Sequence, residues 1–368
     1  MTLTEDKIRQ ALSNVIDPDL NKNLVELDAI KKILFLKDKN KNDYVEIHIE
    51  LVQPILWVAE EINNRCAEEL SKLDTDIESD IIFSEKPMTP RNSNLLGGVK
   101  NIIAVASGKG GVGKSAIASN IAGALSLRGA KVGILDGDVY GPSQPTMFGL
   151  NEEPFQVYET EDGKTHAFPN EKYGIKVASM GFMLSRNEAA ILRGPMLAGY
   201  FSMLFEQLEW GSLDFLVFDL PPGTGDIQLT LTQKIPLTGA VIVTTPQEIA
   251  VADVRRSIAM FRRVNVDILG IIENMSYFVP PDMPEKKYYI FGQGGGRSVA
   301  EENNINFLGE VPLDINMREA NDGGKPIILR DNAGHQGEVL KRIVSNLITE
   351  IRKHNYGLIS SPSLKIEI

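Results

Sequence analysis

The run Ser107-Gly108-Lys109-Gly110-Gly111-Val112-Gly113-Lys114-Ser115 constrains this chain more than any other stretch. It follows an apolar segment, Ile102 to Ala106, and precedes one of helical character, Ala116 to Leu127. Gly108, Gly113, Lys114 and Ser115 satisfy the spacing G-x-x-x-x-G-K-[ST] in the strand–loop–helix setting that the spacing requires. Glycines there let backbone N–H groups turn inward, and the helix start adds partial positive charge, so the loop is suited to phosphate. Lys114 is expected to reach the β and γ phosphates of a nucleotide, and Ser115 to ligate Mg²⁺. Gly108, Lys109, Gly110, Gly111, Val112 and Gly113 would line the phosphates, with Lys109 a second cation within the loop.

A rival reading uses the same glycines. Gly108, Gly110 and Gly113 also spell G-x-G-x-x-G, and Asp136 ends the next strand, where a ribose-binding acid would stand. A dinucleotide site has no use for a Lys–Ser pair at the helix start, so the nucleoside triphosphate reading is preferred. The sequence Asn40-Lys41-Asn42-Asp43 imitates a guanine-recognition pattern, but it lies before the loop, in a polar turn between two early strands. Asn274 and the backbone near Pro312 are better placed to touch a base, and ATP is therefore expected over GTP.

With 368 residues the chain has room for two or three domains. Apolar runs of strand length alternate with helical stretches from Val99 onward: Asn101–Ala106, Lys131–Leu135, Asp214–Leu220, Ala240–Thr244, Ile268–Glu273 and Phe307–Val311. Runs that are apolar throughout imply an α/β fold, a mostly parallel sheet covered by helices on both faces. Residues 1–85 read instead as a small α+β domain: helix Glu5–Val15, strands Ile30–Leu36 and Tyr44–Val52, helix Ile55–Leu73 and a last strand Asp80–Phe83. A linker over residues 86–98, rich in Pro, Ser, Asn and Gly, separates this domain from an ATPase domain over residues 99–352, and residues 353–368 are expected as a tail.

Charge is unevenly distributed. Residues 1–85 hold 10 Lys and Arg against 19 Asp and Glu, and so carry most of the net charge of −11. That sign argues against nucleic acid as a partner. No apolar run approaches a membrane span, and the acidic start of the chain is unlike a signal peptide, so a cytoplasmic protein with no membrane contact is expected. One cysteine excludes an internal disulfide framework.

Acidic residues complete the candidate site. Asp219 closes the run Phe215–Phe218, where an aspartate serving the metal belongs, and Pro221-Pro222-Gly223-Thr224-Gly225-Asp226 follows directly. That turn is placed to sense the γ-phosphate, with the Gly223 N–H as donor; a plain strand-to-helix turn fits the same residues. Asp136 and Asp138 end the strand after the loop's helix, where two carboxylates could hold the waters of Mg²⁺ and position the attacking one.

Lys109 with Lys114, then Asp-Gly-Asp-Val-Tyr-Gly-Pro-Ser (136–143), Leu-Arg-Gly-Pro-Met (192–196), Asp-Leu-Pro-Pro-Gly-Thr-Gly-Asp (219–226) and Glu-Asn-Met-Ser-Tyr-Phe (273–278) together resemble the Mrp/ApbC family. These are iron–sulfur cluster carrier ATPases of the deviant-Walker class that also contains MinD and ParA. Val-Ile-Asp-Pro-Asp-Leu (15–20) and Leu-Val-Glu-Leu (24–27) resemble the small domain often fused in front of bacterial members. The resemblance implies a homodimer that hydrolyses ATP and passes clusters to apoprotein recipients. It implies that Lys109 contacts the nucleotide of the other subunit, that Asp138 is the catalytic acid, and that Ser115, Asp136 and Asp219 surround Mg²⁺.

One departure stands against the match. In this family the Asn-Met-Ser-Tyr-Phe segment normally runs into a Cys-x-x-Cys pair, and two such pairs hold a 4Fe–4S cluster across the dimer. Here Val279-Pro280-Pro281-Asp282-Met283-Pro284 occupies that place, with Pro280 and Met283 at the cysteine positions. Neither supplies the thiolate that such clusters need. Cys66 falls on an apolar stripe with Val58, Ile62 and Leu70 and reads as a buried small hydrophobe. The cluster ligands are therefore unknown from the sequence. The alternative function is a MinD- or ParA-like nucleotide-gated switch that positions a partner and holds no cluster.

Overall fold

The structure, a computed structural model, describes residues 3–37, 43–73, 78–86, 96–151, 153–161, 163–183 and 194–358. Asn40, Lys41 and Asn42 of the guanine-like pattern, and Leu192 and Arg193 of the Leu-Arg-Gly-Pro-Met motif, lie outside these residues. Two compact units emerge: one of Met1–Pro90 with Ile348–Ile359, the other of Arg91–Leu347 with Ser360–Ile368.

The first unit begins with helix α1 (Glu5–Leu12), whose Thr4 hydroxyl accepts the Lys7 N–H at its start. A small ladder follows, β1 (Ile16–Asp17) against β2 (Lys22–Asn23). Strands β3 (Ile30–Lys37), β4 (Asp43–Leu51) and β5 (Glu78–Glu85) form a three-stranded sheet in that order, β3 antiparallel and β5 parallel to β4. Val45, Ile47, Ile49 and Leu51 alternate along β4 and are buried against α1 and helix α2 (Ala59–Ser71). Val58, Ile62 and Cys66 form the buried stripe of α2 that the four-residue spacing predicts.

The second unit is built on one sheet. Its strands are β6 (Val99–Ala106), β7 (Val132–Asp136), β10 (Asn170–Lys172), β11 (Ile175–Ser179), β12 (Leu213–Asp219), β13 (Gly239–Thr244), β14 (Ile268–Phe278) and β15 (Phe307–Leu313), while β8 (Gln156–Glu159) and β9 (Thr165–Phe168) pair as a separate hairpin. The order across the sheet is β10-β11-β7-β12-β6-β13-β14-β15, and every pairing is parallel except that of the edge strand β10. Residues Gly239 to Thr244 and Phe215 to Asp219 are buried without interruption, so both faces of the central strands are covered. The covering helices include α3 (Lys114–Leu127), α4 (Gln144–Met147), α5 (Gly194–Glu206), α6 (Asp226–Lys234), α7 (Glu248–Arg263), α8 (Gly295–Glu302), α9 (Ile315–Asp322) and α10 (Gly334–Tyr356).

Each of the six expected central strands is present. β14 runs five residues beyond Glu273, through the Asn-Met-Ser-Tyr-Phe segment. The short strands β8 to β10 are not legible as apolar runs because they lie at or near the surface and mix polar with apolar residues, and β11, though mostly buried, is short and interrupted by Lys176. Helix α10 extends to Tyr356, into the stretch expected as a tail. Its last turns belong to the first unit, where Asn355 Nδ2 donates to the Gln53 carbonyl at 3.1 Å.

Among the described residues no helix is long and apolar enough to cross a membrane.

Candidate functional site

Strand β6 delivers the chain into the loop 107–113, and α3 starts at Lys114. Gly111 and Gly113 have φ of 84° and 80°, in the left-handed region that strains any L side chain. A Cβ on Gly113 would stand 2.2 Å from Asn274 Nδ2, and one on Gly108 would stand 2.4 Å from the Asp253 Cβ. These two glycines are thus fixed by close approach, whereas Gly110 and Gly111 face open space on the side where a Cβ would project. The open side and the first N–H groups of α3 make a cradle suited to phosphate.

The candidate chemical groups converge at the head of α3. Lys114 is buried, and its Nζ pairs with Asp219 Oδ1 and lies 3.3 Å from Ser115 Oγ. Asp219 and Asp136 are partners in register at the carboxyl ends of β12 and β7. Asp136 Oδ2 accepts N–H groups from Ser143 at 2.8 Å and Gln144 at 3.0 Å, and the Ser179 hydroxyl at 3.2 Å. Its Oδ1 accepts the Asp138 N–H at 3.1 Å, and Asp138 Oδ1 in turn accepts the Gly141 N–H. Burial, and then the neighbouring charge of Asp219, push the Asp136 carboxyl up to about 7.

The Gly223 N–H donates to the Ser107 carbonyl at 3.0 Å, tying the turn after β12 to the loop. Asn274 is buried beneath the loop and donates from Nδ2 to the Val112 carbonyl at 2.9 Å. Lys109 is half-buried, and its carbonyl accepts the Ser107 hydroxyl. Pro312 lies on β15, and its carbonyl accepts from Gln336 Nε2 at 3.3 Å. Lys114, Ser115, Asp136, Asp138 and Asp219 are thus gathered around the loop, Gly223 and Asn274 brace it, and the Pro312 carbonyl is taken by Gln336.

Gln144 is the residue that reading the sequence passed over. It is wholly buried at the start of α4 and donates from Nε2 to both the Ser115 carbonyl, at 3.1 Å, and Asp219 Oδ2, at 2.9 Å. Its position, one residue past the Asp-Gly-Asp-Val-Tyr-Gly-Pro-Ser motif, was the available signal.

Ser115, Asp136 and Asp219 offer hard oxygen donors, the type Mg²⁺ takes together with substrate phosphates. Two mutually repelling buried carboxylates, with Ser143 Oγ and Gln144 Oε1 buried beside them and without a partner in the protein, fit a hydrated cation.

The altered segment after β14 is a closed turn. Phe278 and Tyr288 exchange backbone hydrogen bonds at 2.8 Å, the Met283 N–H donates to the Pro280 carbonyl at 3.1 Å, and Lys286 N–H donates to Met283. Residues 281–290 are exposed, and Lys287 Nζ sits 4.3 Å from the Tyr277 ring centre. Among the described residues no three His, Cys, Asp or Glu side chains are grouped to hold a metal ion. Burial pushes the Cys66 thiol up to about 12. These residues do not fit a thiolate-held cluster.

Comparison with known proteins shows the family. Residues 98–348 match the family described as ParA, NUBPL iron-transfer P-loop NTPase, and residues 5–79 match that described as iron-sulfur cluster assembly protein. The chain is 42% identical to the iron-sulfur cluster carrier protein of Synechocystis sp. over 95% of its own length and 98% of that protein's. It is 43% identical to the iron-sulfur cluster carrier protein of Escherichia coli, over 86% of this chain and 84% of that one. A nucleotide-binding protein from Archaeoglobus fulgidus, solved in complex with ADP, superposes with a TM-score of 0.55 at 38% identity, covering 63% of this chain and 89% of that one. On the loop, the sheet and these matches, the chain belongs to the NUBPL iron-transfer P-loop NTPase family.

Proposed function

We propose that this chain is a homodimeric, Mg²⁺-dependent ATPase that serves the delivery of iron–sulfur clusters to apoproteins. The observation that carries the ATPase reading is the convergence of Lys114, Ser115, Asp136 and Asp219 at the head of α3. Lys114 exchanges its pairing with Asp219 for the β and γ phosphates. Ser115, Asp136 and Asp219 hold Mg²⁺, which neutralises phosphate charge when bound. Asp138, half-buried on the loop that Asp136 organises, orients the attacking water. Lys109 adds a cation to the nucleotide of the other subunit when two copies close, and so acts only in the assembled dimer.

The cluster is cargo in this reading. Support comes from the family match and from relatives named iron-sulfur cluster carrier protein along nearly the whole chain. Pro280, Met283 and the buried Cys66 do not fit as its ligands, so the thiolates come from a partner protein and no transfer step is assigned to this chain's side chains. A second reading, a nucleotide-gated switch that positions a partner and holds no cluster, is favoured by the closed turn at 278–288.

The test is iron and acid-labile sulfide per chain after anaerobic reconstitution, with and without Mg-ATP, beside ATP turnover. Cluster retained only with a thiol-bearing apoprotein, together with ATP turnover, is the expected result. ATP turnover with no cluster under any condition favours the switch, and absence of Mg²⁺-dependent turnover refutes the ATPase reading.

A further inference from the structure

We propose that Gln144 is the positioning residue that couples the loop after β7 to the metal-binding carboxylate Asp219. This rests on the reading of the P-loop as a Mg-nucleotide site.

The Gln144 side chain is wholly buried, yet its single amide nitrogen serves two acceptors, the Ser115 carbonyl and Asp219 Oδ2. Its own backbone N–H is held by Asp136 Oδ2. One residue therefore touches the backbone of the hydroxyl donor, the carboxylate at the end of β12 and the carboxylate at the end of β7. Lys114 holds Asp219 Oδ1 and Gln144 holds Oδ2. When Lys114 turns to the phosphates, the Gln144 amide is the contact that keeps the carboxylate oriented, which is what partners of a metal ligand supply.

Gln144 Oε1 has a separate bearing on the metal. It is buried and has no hydrogen-bond partner in the protein. A buried carbonyl left unsatisfied costs free energy, so its retention beside two carboxylates calls for a donor that arrives with the ligand. Water of a hydrated Mg²⁺ is such a donor. Arrival of Mg²⁺ would then be felt at Ser143 and Gln144, and through Asp136 at Asp138.

The test uses the full chain and a fluorescent ATP analogue. Its affinity is measured in EDTA and then across a Mg²⁺ titration, for wild type and Gln144→Met, which keeps the volume and removes the amide. The expected result is an EDTA affinity within about twofold of wild type and a Mg²⁺ requirement raised roughly 10–100-fold, the usual effect of losing a partner of a metal ligand. A merely structural role would move the two affinities together. Should Gln144→Met fail to fold, Gln144→Asn keeps the amide but is one methylene too short to span both acceptors, and carries the same expectation. A folded variant whose Mg²⁺ requirement is unchanged overturns the proposal. Wild type that binds the analogue with no response to Mg²⁺ overturns the underlying site reading instead.

Discussion

Replacing Arg352 by methionine tests how the last turns of α10 are held in the first unit. The Arg352 side chain is wholly buried. Its Nη1 donates to Asp17 Oδ1 at 2.8 Å and Asp19 Oδ2 at 2.6 Å, its Nη2 to Asp17 Oδ2 at 2.6 Å, and its Nε to the Val52 carbonyl at 3.1 Å. Burial works against its charge, but the hydrogen bonds and charges of Asp17 and then Asp19 outweigh it, and the guanidinium is held more firmly protonated than usual. Asp17 is also wholly buried, and its Oδ1 caps the turn by accepting the Asp19 and Leu20 N–H groups. Methionine fills much of the volume but leaves the Asp17 carboxylate and the Val52 carbonyl without their cation. Removing one partner of such a buried pair costs about 3–5 kcal/mol, against about 0–1 kcal/mol for an exposed pair. At about 1.4 kcal/mol per tenfold, amide exchange along β4 should accelerate by roughly two to three and a half orders of magnitude. Hydrogen–deuterium exchange of peptides covering residues 44–51 reads this directly. Adding Asp17→Asn to Arg352→Met should recover part of the loss, since the orphaned charge is then gone. A cost under about 1 kcal/mol for Arg352→Met, in the range of a surface pair, would refute the reasoning.

Other outcomes follow from the same contacts. Lys114→Ala should lower ATP turnover by at least roughly a hundredfold, and it should also destabilise the second unit, because Asp219 would be left buried beside Asp136 without a cation; near-wild-type turnover would remove the P-loop from the mechanism. Lys109→Ala should still bind ATP but lose turnover, since its cation is needed only when two copies close, and unchanged turnover would argue against catalysis across a dimer. Cys66 should resist thiol alkylation near neutral pH until the first unit unfolds, because the buried thiol stays neutral; rapid stoichiometric labelling of native chain would contradict its placement. With its folded pKa raised, the thiol's contribution to stability is fully present below its ordinary value of 9.0 and is lost as pH rises toward about 12, which a series of urea melts at rising pH would detect.

The sequence alone determined the glycine–lysine loop between strand and helix, the parallel sheet and the aspartates at its strand ends. These are local signals: a fixed glycine–lysine spacing, apolar runs of strand length, and aspartates at the ends of those runs. The substitution of Pro280 and Met283 was equally plain, because a missing ligand type needs no geometry to recognise. The small N-terminal domain was legible for the same reason, through runs of strand length and a four-residue apolar stripe on α2. What only the tertiary structure decided are pairings between residues remote in the chain. Gln144 meets Asp219 across 75 residues, Asn274 meets Val112 across 162, and Arg352 meets Asp17 across 335. No period or spacing encodes such contacts; they exist because sheet register sets β7 beside β12, and because the end of α10 packs with the first unit. A buried amide or guanidinium must find partners within reach once water is excluded, and which partners are within reach is a property of the folded chain.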